Sequence, residues 1–164
     1  MKTGRRNNSG FSLIELIIIL AIMAILGVGL ISLTGMIGNT QSRKCIEGIN
    51  TAIQRTKSDT LAKAKGGDGA TEIYLEIWDG GSNGIMLRET IDTVTHEKNI
   101  GPQGLDVYVD GTMAAKLPGE GAALKISFDR SSGAVESTNF TKISSGKFSV
   151  KVEPHTGKCK LETN

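Results

Sequence analysis

The sequence predicts an α+β chain: a long N-terminal α-helix, membrane-spanning in its first half and amphipathic in its second, packed on a C-terminal antiparallel β-sheet. Three observations carry this. No charged residue lies between Glu15 and Arg43. Apolar residues then recur at helical spacing, and beyond Gly66 short alternating runs are separated by glycine-rich turns.

The 164 residues give the length of one ordinary domain. The formal charge of +2 is too near zero for a nucleic-acid binder working by electrostatics. Cys45 and Cys159 are too few for a disulfide scaffold and too far apart in sequence for a zinc cluster. The four parts expected are 1–10, a basic leader; 11–38, the apolar helix; 39–65, its amphipathic continuation; and 66–164, a β-sheet domain.

Residues 1–10 carry Lys2, Arg5 and Arg6 and no acid, and without them the chain holds 16 basic against 17 acidic residues. A basic segment beside an apolar one stays in the cytoplasm, so the chain should enter a membrane with its N-terminus inside. Residues 11–38 are long enough to span a bilayer, which needs about 20 apolar residues. They are apolar on every face rather than striped. The run exceeds the apolar region of a secretory signal, which favours a retained anchor. Glu15 interrupts it. An ionised side chain at the centre of a membrane helix costs about 2.5–3.5 kcal/mol on insertion scales. Glu15 therefore either has a partner and a purpose or lies shallow enough to reach the interface.

The residues around it decide between these. Gly10-Phe11-Ser12-Leu13-Ile14-Glu15-Leu16 resembles the cleavage and N-methylation site of type IV prepilins and type II secretion pseudopilins: basic leader, Gly at the cut, aromatic first residue, Glu four positions later, then a long apolar helix. The resemblance implies a pilin-like fold. It also implies that a prepilin peptidase cuts between Gly10 and Phe11 on the cytoplasmic face and methylates the new amine of Phe11. That amine keeps its charge, and pairing it with Glu15 of a neighbouring subunit would relieve two costly groups in an apolar medium; pairing within one helix is the rival geometry, since positions 11 and 15 are one turn apart. Implied partners are other pilin or pseudopilin subunits, the peptidase/methyltransferase, a membrane platform protein, an assembly ATPase, and membrane lipid before assembly. The implied location is the bacterial cell membrane in a single pass, then an extracytoplasmic filament. Because Glu15 is present, the chain resembles a filament-body subunit more than an initiating tip pseudopilin. Many pilins have a proline in the apolar helix; here there is none between Phe11 and Cys45, and Gly27, Gly29, Gly35 and Gly38 stand instead. These either let helices loosen or approach closely or are simply tolerated.

Downstream, Ile46, Ile49, Ile53 and Leu61, with Ala52 and Ala64 beside them, form an apolar stripe. One helix from about Phe11 to Lys65 is expected, ended by Gly66-Gly67-Asp68-Gly69; two helices hinged at Gly35–Gly38 are the alternative. Ile73, Leu75 and Ile77 alternate with polar or aromatic neighbours, and residues 79–84 supply a turn. Residues 85–91 and 105–109 read as weaker strands around a loop holding His96 and Pro102. Leu124, Ile126 and Phe128 form a strand, 129–133 turns, and 134–141 returns. Phe148, Val150 and Val152 precede a turn at 154–157 and a strand at 158–162. Successive short strands favour an antiparallel meander. The segment 126–135, ISFDRSSGAV, resembles a strand–turn–strand of H-type minor pseudopilins.

A four-residue loop at 154–157 sets Glu153 opposite Lys158 and Val152 opposite Cys159, turning Cys159 toward the helix. Cys45 lies beside Ile49 and Ala52. A 45–159 disulfide or two buried thiols both fit. No phosphate-binding loop is present, so mechanical work must be powered by a partner ATPase. His96 and His155 lack a nucleophile partner, and neither an enzyme nor a cofactor is expected. The function that follows is a structural subunit of a type IV pilus or a type II secretion-like pseudopilus, with a DNA-uptake filament also open. Its rival is a signal-anchored monomer with an outer ligand-binding or catalytic domain.

Overall fold

The computed structural model describes residues 12–63, 72–110 and 115–163, and within them the side chains of 26–36 and 110 are left aside. Helix α1 spans Leu13–Ala62, helical at Gly35 and Gly38 as elsewhere. Ten strands follow: β1 (Ile73–Asp79), β2 (Ile85–Ile91), β3 (Val94–Gly101), β4 (Tyr108–Asp110), β5 (Ala115–Lys116), β6 (Leu124–Phe128), β7 (Val135–Thr138), β8 (Lys142–Ser145), β9 (Phe148–Glu153) and β10 (Lys158–Thr163). The chain divides into two compact units, Met1–Ile37 and Gly38–Asn164. The expected leader 1–10, Phe11 and the glycine-rich helix stop at 66–69 lie outside the described residues.

In the second unit the strands form two sheets rather than one meander. Their orders are β3-β2-β1-β6-β7 and β10-β9-β8-β4-β5, with every neighbouring pair antiparallel. The first closes through the long-range pair β1–β6 (Leu75 opposite Ile126). Alternation alone could not reveal that pairing. The segment expected to return at 134–141 does so as β7, antiparallel to β6 at the edge of the first sheet, and the chain then crosses to β8 in the centre of the second. Phe140, between them, is buried where the chain crosses.

The helix face toward the sheets is Ile46, Ile49 and Ile53, each fully buried against Leu75, Ile77, Ile126 and Phe128 of one sheet and Ile143, Val150 and Val152 of the other. Each such side chain contributes about 1.5–3 kcal/mol of burial. The stripe does not continue to Leu61, which is exposed; it continues to Thr56 and Thr60. These follow Ile53 at i+3 and i+7, and each hydroxyl donates to the carbonyl one turn back, Thr56 Oγ1 to Ala52 O at 2.9 Å and Thr60 Oγ1 to Thr56 O at 2.8 Å. Thr60 therefore buries without an outside partner, while Thr56 also approaches Glu89 on β2. Ala64 lies outside the described residues.

His96 is on a strand, not in a loop. The two-residue turn Asp92–Thr93 returns the chain into β3, with Ile91 opposite Val94 and Glu89 opposite His96. Asp92 takes a left-handed φ of 57° there, a conformation Asp tolerates better than most residues. At 105–109 the strand is shorter than expected, beginning at Tyr108; Leu105 lies in a turn, its N–H donating to Pro102 O. The β9–β10 register agrees with the sequence reading: Lys158 opposes Glu153 and Cys159 opposes Val152. The turn between them meets the β6–β7 turn. Gly157 (φ +58°) lies against Gly133 and Phe128, where no side chain fits, and Val135 N–H donates to Pro154 O at 2.8 Å.

Candidate functional site

The first described turn of α1 contains Ser12 to Leu16, with Leu16 N–H donating to Ser12 O at 3.2 Å. Glu15 is exposed in this first turn. Around and after it the large apolar side chains are exposed on every side of the helix, from Leu13 (79%) through Ile17, Leu20 and Ile22 to Ile25 (73%). An apolar surface of this kind on a lone helix needs lipid or other helices around it. Among the described residues no helix is long and apolar enough to cross a membrane; the described side chains of the apolar run stop at Ile25 and resume at Ile37. Gly10 and Phe11, the expected cleavage and methylation positions, lie outside the described residues.

Residues 5–31 match the family model of the prokaryotic N-terminal methylation motif. This supports a type IV prepilin- or pseudopilin-type protein. Gly10, Phe11 and Glu15 all fall inside the matched range. The prepilin motif points to a processed structural subunit rather than an enzyme, and the helix and antiparallel strands form an α+β, pilin-like layout. No curated protein and no solved structure matches the chain.

Cys45 and Cys159 are both free thiols in this structure. Cys45 is fully buried with its Sγ beside Gly101 at the end of β3. Cys159 is half-buried on β10 and feels the charge of Lys57, twelve positions from Cys45 and so about 18 Å along the helix. Burial pushes the Cys45 thiol up to about 12. Burial also raises Cys159, to about 11, with Lys57 opposing. Neither is a reactive thiolate at neutral pH.

One functional-looking group escaped the sequence reading. Glu89 on β2 is buried beneath α1, accepting from Thr56 Oγ1 at 3.4 Å, with Arg55 Nε 3.7 Å from its other oxygen. Its only sequence signal is that it opposes Leu75 and shares that residue's inward face. It ties the helix to the sheet.

A cleft of about 620 Å³ lies by Tyr74, Lys125, Asp129 and Glu136. Lys125 Nζ rests 3.5 Å from the centre of the Tyr74 ring. Asp129 Oδ1 accepts from the hydroxyls and amides of Ser131 and Ser132, which hold its carboxyl well below the usual range. Lys125 is thus engaged by the Tyr74 ring and Asp129 by its own turn, and among the described residues of the cleft no nucleophile–base hydrogen bond is formed. His96 and His155 are both exposed. Among the described residues no group of three His, Cys, Asp or Glu could hold a metal ion.

Proposed function

We propose that the chain is the structural subunit of a filament of the type IV pilus or type II secretion-like pseudopilus kind. Prepilin peptidase removes residues 1–10 and methylates the new amine of Phe11. The apolar helix is stored in the cell membrane, N-terminus inside, and leaves it for a bundle of like helices with the β unit outward. A membrane platform protein and a partner ATPase drive that transfer, since this chain has no nucleotide-binding loop of its own.

The single observation that supports this reading is Glu15, the only charged residue from Phe11 to Ser42, on a stretch of helix whose large apolar side chains from Leu13 to Ile25 are exposed all round. In lipid or in a helix bundle an unpaired carboxylate is costly, and so is an unpaired amine. The Phe11 amine of one subunit against Glu15 of the next removes both costs and fixes the axial step. Repetition of such a head-to-tail contact without closure gives an open filament.

The test is Glu15→Ala beside Glu15→Gln in cells. Both variants are expected to be cleaved after Gly10 as the wild type is, and both to be lost from filaments. Normal incorporation of either would contradict the role given to Glu15.

A further inference from the structure

The outward faces of the two sheets carry opposite charge patterns. Across β8, β9 and β10, Lys142 stands directly opposite Lys151, and Lys151 directly opposite Lys160. Like charges at directly opposed positions destabilise a sheet. Lys142 and Lys151 form no ion pair among the described residues, and Lys160 meets only Glu162, at 3.5 Å. Lys151 and Lys160 are exposed. Across β1, β2 and β3 the corresponding row alternates: Glu76 opposes Arg88, which opposes Glu97. Glu120 reaches the same guanidinium, so three carboxylates share Arg88. Lys125, next along that row opposite Glu76, lies over the Tyr74 ring.

We propose that the lysine row docks on a second copy of this chain, against the excess carboxylates around its Arg88. Three ammonium groups with one carboxylate stand against three carboxylates with Arg88 and Lys125, so the two surfaces are opposite in net sign. Beyond residue 10 the chain holds 16 basic against 17 acidic residues, so the charge missing from one face is carried by another face of the same molecule rather than left for a polyanion. Contact between unlike faces is heterologous and propagates without closing. The inference deepens the filament reading and rests on it, placing a lateral contact between the outer units.

Full-length chain, purified in detergent as an equal mixture of normal and heavy-nitrogen copies, is treated with a carbodiimide, which joins amines to carboxylates in contact. Mass spectrometry is expected to find mixed-isotope peptides joining Lys151 or Lys160 to Glu97 or Glu120. Lys151→Glu, which deletes the amine at 151, should reduce the remaining inter-copy links from Lys160 about tenfold, as removal of a cross-interface charge pair does. Lys151→Glu with Glu97→Lys should restore them, and about 0.5 M salt should suppress them. Only same-isotope links, links indifferent to Lys151→Glu, or failure of the double variant would overturn the proposal. So would a Lys151→Glu chain that loses binding to phosphatidylglycerol vesicles yet keeps its inter-copy links. The N-terminus is read on the same material. A processed Phe11 without links sinks the docking face alone, and links with Met1 retained sink the processing reading alone.

Discussion

Thr56 Oγ1 donates to Glu89 Oε1 at 3.4 Å, holding a buried carboxylate between the helix and β2. The single hydroxyl hydrogen of Thr56 is shared with the nearer acceptor, Ala52 O at 2.9 Å, so the acid is the group that depends on the contact. Glu89→Gln keeps an acceptor for Thr56 and loses only the long approach of a mostly exposed Arg55, so its stability should stay within about 1 kcal/mol of wild type. Glu89→Ala removes acceptor and packing together and should cost about 1–3 kcal/mol. Thermal or urea unfolding of the full chain in detergent checks both, and equal losses would contradict this account of the site.

The helix face is tested by two truncations. Ile49 is fully buried among both sheets, whereas Leu61 is exposed. Ile49→Ala should cost about 2–5 kcal/mol. Leu61→Ala should cost no more than about 0.5 kcal/mol, as a surface substitution does. A larger loss at Leu61 than at Ile49 in the same unfolding measurement would place the stripe elsewhere.

Alkaline stability should depend on Cys45. Its folded value of about 12 lies above the reference of 9.0, so its contribution is complete below pH 9 and is lost as pH rises toward the folded value. Unfolding midpoints followed upward from about pH 8 should fall more steeply in wild type than in Cys45→Ala. In alkylation at about pH 9, Cys159, half-buried and raised less, should label before Cys45.

The acid side belongs to Asp129. Hydrogen bonds from Ser131 and Ser132 lower its carboxyl below the reference of 3.8. Its contribution is therefore present above that value and is lost as pH falls through the folded one. Asp129→Asn should flatten the loss of stability between about pH 4 and pH 2, followed by circular dichroism. An unchanged slope would remove the turn from the account.

What the sequence made legible follows from which constraints are local. The apolar run, its basic flank and the place of Glu15 are compositional and need no tertiary information. The β9–β10 register was legible because a short turn fixes opposition, giving Cys159 its place against Val152. Strand β3 was missed because it is an exposed edge, with Glu97 and Lys98 instead of alternating apolar residues, and its turn has no glycine to mark it. The division into two sheets was hidden because alternation assigns faces, not partners, and β1–β6 joins residues some fifty positions apart. Thr56 and Thr60 were passed over for Leu61 because hydropathy outweighed strict helical spacing, although both hydroxyls are satisfied within the helix. The facing lysines needed both the local β9–β10 register and the unforeseen position of β8.

The central claim is that the first residue of the mature chain is Phe11, made by cleavage after Gly10. Intact-mass and N-terminal peptide spectrometry of protein isolated from cell membranes tests it most directly. The account predicts a chain beginning with N-methylated Phe11 and lacking residues 1–10. A membrane-bound chain still carrying Met1 through Gly10 would contradict it.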